Sequence, residues 1–313
     1  MLFGKPRIFK MNKNLTVKAF SALFLLTFMW GYNWVVMKEA LAYAGVFQFI
    51  ALRTVIGAVC LFLIIFLMRK PFRIKETPTI ILLGLLQTSG FTGLLMWALV
   101  EGGAGKTAVL TFTMPFWVML LAWPLLGEKL KGLQWPAAIL AAVGMLFILD
   151  PTHLGAHQFS MLLAVLSGVS WALAVIVAKK LHQKAPDLDL LTLTAWQMLF
   201  GSVPIIIAAW LIDAPPIQWT PYFTGAVIYN AIFCNSLAWL LWLYALQRLQ
   251  AGVATMSSLL TPVIGVVAAW IQLNEVPSQG ELTGMLLIAL ALMIISFVAI
   301  RKHQPVDPAM AQE

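Results

Sequence analysis

Ten predominantly apolar runs, each 17 to 25 residues long, follow one another along this chain. They lie at approximately 17–37, 46–68, 79–100, 105–126, 133–149, 158–178, 189–211, 221–245, 251–273 and 280–300. A helix crossing a bilayer needs about 20 apolar residues at about 1.5 Å rise each, so each run is long enough or nearly so. No water is present in hydrocarbon, so every backbone polar group must be satisfied inside a helix or a closed barrel. Barrel strands would alternate apolar and polar residues over segments of about ten, and these runs do not. The pattern predicts an all-α integral membrane protein of ten transmembrane helices. Its breaks carry turn residues, among them Arg69-Lys70-Pro71, Gly127-Glu128-Lys129, Asp150-Pro151, Ala214-Pro215-Pro216 and Val276-Pro277.

Composition agrees. Of 313 residues, 61% are hydrophobic and 10% charged, against about 25% charged in soluble proteins. That excludes a soluble enzyme and a disordered chain. The pI near 9.6 does not indicate a nucleic-acid partner, because the basic residues fall in short gaps between apolar runs rather than on one polar face. Cys60 and Cys234 lie inside apolar runs and read as buried thiols rather than a disulfide. His153, His157, His182 and His303 lie in or near loops without metal-type spacing, so no metal or other cofactor is expected. The first run, with Ala42-Tyr43-Ala44 beyond it, is compatible with a cleaved signal peptide. It exceeds the usual signal core of about 7–15 residues, and we read it as a retained span. Met11 is an alternative start.

Lys and Arg set the orientation. With a cytoplasmic N-terminus, 17 of the 20 basic residues fall on the inner side, and only Lys38 and Lys106 fall outside. Arg53 lies within the second run. The positive-inside bias then places both termini in the cytoplasm, and a bacterial inner membrane is the expected location.

The two halves resemble each other. Leu94–Glu128 aligns with Leu241–Glu275 at a constant offset of 147, with ten of 35 positions identical. The matches include Gly105/Gly252, Pro115/Pro262, Trp123/Trp270 and Glu128/Glu275. Neighbouring offsets pair Trp30 with Trp171, Lys38 with Lys179, Gly57 with Gly201, and Val59 with Val203. Five helices per half is an odd number, so the second half enters the membrane from the opposite side, as in inverted-repeat secondary transporters. The expected organisation is a basic cytoplasmic tail (1–16), a first five-helix unit (17–149) and a periplasmic connecting loop (150–157). A second unit (158–300) and a cytoplasmic tail (301–313) follow. In such a design the substrate site lies near the midplane, where the halves meet.

Trp30-Gly31-Tyr32-Asn33 closing on Lys38, Leu52-Arg53, and Pro115 followed by Gly127-Glu128-Lys129 resemble the EamA-type drug/metabolite transporters. The second half keeps Trp171, Lys179, Pro262 and Glu275 of the pattern, with Gln197 where Arg53 stands and Ala172 where Gly31 stands. The resemblance spans residues 17–300. It implies ten helices in two five-helix repeats and transport of small metabolites, often export of amino acids.

Within the runs, Arg53 is the costly residue, since an arginine in hydrocarbon costs about 2.5–3.5 kcal/mol on insertion scales. Two readings stand: a fork of donors for a substrate carboxylate, or a structural arginine that snorkels or bonds backbone carbonyls. No Asp or Glu falls near the middle of a run, which argues against a proton-coupled pump for cationic drugs. Glu128 and Glu275 are expected to cap helices or pair with nearby basic residues. Polar residues at depth include Asn33, Gln87, Thr88, Ser89, Thr92, Gln197, Asn235 and Ser236. They read as helix–helix hydrogen bonding or as the lining of a wet cavity. Gly84, Gly90 and Gly93 would permit close packing of the third run. Pro115 and Pro262, near the middle of their runs, read as matched hinges or as static kinks. Of the 13 Trp residues, Trp34, Trp135, Trp210 and Trp219 read as interfacial anchors, while Trp30, Trp97, Trp171, Trp196 and Trp239 lie deeper, as does Tyr244. The substrate-binding candidates are Trp30, Asn33, Arg53, Gln87, Trp97, Trp171, Gln197, Asn235 and Tyr244.

The expected function is a secondary transporter moving a small polar metabolite, foremost exporting amino acids or their relatives, by alternating access. Its partners are that small molecule and the lipid bilayer. The alternative is efflux of lipophilic or cationic drugs. An intramembrane enzyme would need paired Asp residues, H-E-x-x-H or a Ser–His pair at depth, and none is present.

Overall fold

The computed structural model describes residues 13–150, 156–246 and 251–301. Residues 1–12 and 302–313 of the expected tails, Arg248 and most of the connecting loop lie outside them. Among the described residues thirteen α-helices run in chain order: α1 Lys13–Ala40, α2 Val46–Leu67, α3 Thr77–Gly84, α4 Gly93–Glu101, α5 Ala104–Thr111, α6 Met114–Leu126 and α7 Gln134–Leu149. They continue as α8 Ala156–Lys184, α9 Leu190–Leu211, α10 Pro221–Ile228, α11 Ala238–Leu246, α12 Ala251–Leu273 and α13 Gln279–Arg301. Two π-helical stretches, Leu85–Thr92 between α3 and α4 and Tyr229–Leu237 between α10 and α11, join their neighbours into longer rods. No strand occurs among the described residues.

Among the described residues eight rods are long and apolar enough to cross a membrane, from Lys18–Ala40 to Gln279–Val298. Gln134–Leu149 and Leu260–Leu273 are apolar but shorter. The outer surface is greasy, as lipid requires: Trp210 is 84% exposed and Ile271 75%. On a water-facing protein so many large exposed apolar side chains would form a sticky patch, so this is a multi-pass membrane protein.

Helices packed along one another include α2 with α9, α7 with α13, and α1 with α12. Glycines let α3 approach α9 and α7 approach α13 closely. A Cβ on Gly201 of α9 would stand 2.2 Å from the Gly84 carbonyl of α3, and one on Gly84 would stand 2.4 Å from the Gln197 carbonyl. Gly144 and Gly284 meet in the same way between α7 and α13. Gly90 presses on Ser170, whereas Gly93 has open space beside it.

Helices α6 and α12, from the two aligned segments, end alike. Gly127 and Asn274, at matched positions, are both left-handed. The following Glu128 and Glu275 donate their N–H groups to Ala122 and Ala269, themselves repeat mates, both at 3.2 Å. Their side chains then diverge. Glu275 accepts from the backbone N–H groups of Ala104 (2.9 Å) and Gly105 (3.1 Å), capping the orphan donors of α5. Glu128 pairs with Lys179 at 2.6 Å. Lys38 donates to the carbonyls of Leu99 and Val100 at the end of α4. Ion pairs Lys106–Glu281, Lys184–Glu76 and Lys70–Asp189 tie other helix ends.

Candidate functional site

Where α1, α2, α8, α9 and both π-helical stretches converge, they enclose a cavity of about 180 Å³. A single water needs only about 10–15 Å³ by this kind of measure, so the space holds a small molecule. Among the described residues Arg53 is the one charged residue in its lining.

The π-helical stretches build much of the polar wall. An i→i+5 turn is wider than an α-turn and such segments gather at functional sites. The first contributes Gln87, Thr88, Phe91 and Thr92, and the second Cys234 and Asn235. Carbonyls in these stretches are taken by side chains of other helices. Trp30 of α1 donates to the Cys234 carbonyl at 3.1 Å, and Ser170 of α8 donates to the Leu86 carbonyl at 2.7 Å. Each contact crosses between the halves. Ser89 adds a third, to the Gly201 carbonyl at 2.6 Å.

Arg53 is 8% exposed. Its Nη1 lies 2.7 Å from the Met37 sulfur and 3.9 Å from that of Met96, and its Nη2 donates to Asn235 Oδ1 at 3.3 Å. Thioethers are weak acceptors and the amide is neutral, so these partners leave the guanidinium charge uncompensated. Among the described residues its Nε has no partner, nor do Trp171 Nε1, Asn33 Oδ1 and Gln197 Oε1, all buried on cavity-lining residues. Each buried unsatisfied group costs about 1–3 kcal/mol, more where charged, and these four belong to residues that line one cavity.

Aromatic rings supply the remaining wall. Phe91 and Trp171 stand 4.7 Å apart, and Trp30 meets Trp239 edge-on at 6.2 Å. Trp34 and Phe112 complete the group, 6.4 Å apart.

Seven of the nine candidate residues line this cavity: Trp30, Asn33, Arg53, Gln87, Trp171, Gln197 and Asn235. The other two do not. Trp97 is 46% exposed on the outer face and packs edge-on against Phe47 and Phe159. Leu95 of the same helix reaches the cavity, and two residues on, the α-helical turn of about 200° carries Trp97 outward. Tyr244 packs among Trp239, Trp242 and their neighbours instead of in the lining. Trp34 is no interfacial anchor: α1 runs on to Ala40, which leaves the ring 4% exposed inside the protein. Trp135, Trp210 and Trp219 are exposed, as anchors are.

The prolines also differ from each other. The rod of the fourth run breaks at Phe112–Thr113, and Pro115 sits in the first turn of α6, where its missing N–H costs nothing. Pro262 lies within continuous α12. Pro115 lines the cavity, with Thr113 Oγ1 donating to the Leu110 carbonyl at 2.6 Å beside the break.

Sequence reasoning missed Phe91, Phe112 and Met37 as lining residues, since a further apolar residue in an apolar run carries no signal. The π-helical stretches did leave one: Gln87-Thr88-Ser89 and Asn235-Ser236 interrupt their runs.

Comparison with known proteins agrees with this geometry. An uncharacterized transporter of Bacillus subtilis, YoaV, is 28% identical over 292 residues, covering 91% of this chain and 99% of its own. A protein of Salmonella typhimurium named "Probable amino-acid metabolite efflux pump" is 26% identical over 286 residues, covering 87% and 93%. A solved crystal structure shares the fold at a TM-score of 0.64, with 15% identity, over 92% of this chain and 99% of that one. The profile of the EamA-like transporter family matches twice, over residues 17–150 and 158–297. The family and these named relatives are transporters rather than enzymes, and the chain belongs to the EamA-like transporter family.

Proposed function

We propose that this transporter exports a small carboxylate-bearing metabolite, an amino acid or a close relative, across an inner membrane by alternating access. The observation that carries the reading is Arg53: a buried guanidinium on a cavity wall with only neutral partners. A carboxylate entering the cavity meets a planar fork of donors and neutralises a charge that nothing else balances. Trp30, Asn33, Gln87, Trp171, Gln197 and Asn235 contact the rest of the substrate. The name of the Salmonella relative supports the same substrate class. A lining whose one charge among the described residues is positive disfavours cationic drugs.

In this reading ten helices cross the membrane as two five-helix units of opposite orientation, residues 17–149 and 158–300. A periplasmic loop at 150–157 joins them, and the tails 1–16 and 301–313 are cytoplasmic. The double family match, the matched π-helical stretches and the Lys/Arg bias support it. Rocking of the units exposes the cavity to one side and then the other, with flexure at the break before Pro115 and at Pro262.

The test is counterflow in proteoliposomes preloaded with a mixed amino-acid pool and offered a labelled panel without a pH gradient. Saturable exchange above protein-free controls is expected. Folded protein that exchanges no amino acid or related carboxylate contradicts the reading.

A further inference from the structure

Arg53 and Gln197 stand 144 residues apart, the offset that also pairs Gly57 with Gly201 and Val59 with Val203. Both line the cavity, from helices α2 and α9 that pack on each other. At matched positions one half therefore presents a cation and the other an amide.

The unsatisfied atoms comprise donors and acceptors, one of each from either half. Arg53 Nε and Trp171 Nε1 are donors, and Gln197 Oε1 and Asn33 Oδ1 are acceptors. Gln197 and Asn33 are 2% and 5% exposed. A carboxylate satisfies the donors, but it has no hydrogen to offer the two carbonyl oxygens. A ligand that satisfies both sets carries donors as well, and an ammonium has three. Among the described residues the rest of the lining offers aromatic rings, methionine and leucine side chains and neutral polar groups, with no second charge.

We propose that the cavity reads both ends of a zwitterion: Arg53 takes the carboxylate, and the side-chain carbonyls of Asn33 and Gln197 accept N–H from the ammonium. The substrate is then an α-amino acid of zero net charge with an apolar side chain, and Asn33 and Gln197 determine specificity. Amides suit this role better than carboxylates would, since an acidic acceptor inside the cavity would bind Arg53 directly and close the site. The inference rests on the carboxylate reading of Arg53 and adds the second pole.

The experiment is competition against labelled L-leucine counterflow by L-leucine, its 2-hydroxy and 2-oxo counterparts, L-glutamate and L-lysine. The 2-oxo acid is expected to compete about tenfold more weakly than L-leucine, or worse, because it leaves both carbonyls unpaired. The hydroxy acid, with one donor, should fall between them, and glutamate and lysine should fail. Gln197→Leu and Asn33→Leu should weaken L-leucine more than the 2-oxo acid, narrowing the preference. Gln197→Asn keeps a neutral side-chain carbonyl: retained preference in that variant supports the proposal even where Gln197→Leu does not fold, and lost preference contradicts it. Equal competition by the 2-oxo acid in the unaltered protein overturns the second pole and leaves the carboxylate reading standing. Absence of exchange with any carboxylate-bearing ligand overturns both.

Discussion

Arg53 and Asn235 hold each other at two points. The guanidinium Nη2 donates to Asn235 Oδ1 at 3.3 Å, and Asn235 Nδ2 donates back to the Arg53 carbonyl at 3.1 Å. The pair joins α2 to the second π-helical stretch and so fixes the cation across the boundary between halves. A fork held in place before substrate arrives loses less entropy on binding.

Asn235→Ala should therefore weaken binding of a carboxylate substrate by about tenfold, since Arg53 is retained but no longer oriented. Competition assays would read this as a raised half-saturation constant. Unchanged affinity would show that Asn235 does not position the guanidinium.

Glu275 caps α5 with both carboxylate oxygens. Removing such a cap costs about 0.5–2 kcal/mol, so Glu275→Ala should lower the unfolding temperature in detergent by a few degrees. Glu275→Gln keeps one acceptor and should lie between. An unaltered melt in the alanine variant would count against the cap.

Backbone contact at Gly201 leaves no room for a side chain, with a Cβ 2.2 Å from a carbonyl oxygen. Gly201→Ala should destabilise by about 1–3 kcal/mol through overpacking. Gly225→Ala in α10, where nothing lies within 4 Å, should be neutral or gain up to about 1 kcal/mol from helix propensity. Thermal melts of the two variants should move in opposite directions, or only the first should move.

Asp189 precedes α9, caps it through Thr192 and pairs with Lys70. Burial alone would raise its carboxyl, but hydrogen bonds from Lys70 and Thr192 outweigh that and hold it below the ordinary 3.8. A depressed folded-state value means stability present above 3.8 and lost as pH falls further, toward the folded value. Asp189→Asn retains the cap but not the charge. Its melting curve should lie below that of the unaltered protein at neutral pH and converge with it in acid. A constant gap across that window would contradict the assignment.

Helix existence was legible because hydrocarbon leaves so few alternatives, and the Pro115 and Pro262 segments were aligned from sequence. Facing was not. Lipid tails and protein interior are equally apolar, so hydropathy does not say that Trp171 turns inward while Trp97 turns outward. Polar residues such as Asn33 and Gln197 escape this ambiguity, because lipid exposure costs them more than burial beside a cavity. The π-helical stretches were invisible to a period of 3.6, although Gln87-Thr88-Ser89 marked one of them. Pro115 looked like a mid-helix kink, and only the break at Phe112–Thr113 turns it into a helix start.

The most direct measurement compares counterflow affinity for an α-amino acid and for its decarboxylated amine, in the unaltered protein and in Arg53→Gln. The unaltered protein should prefer the amino acid, and the substitution should remove about tenfold to a hundredfold of that affinity while leaving the weaker amine unaffected. Equal affinity for the amino acid before and after the substitution, in protein shown to be folded, would contradict a carboxylate-binding Arg53.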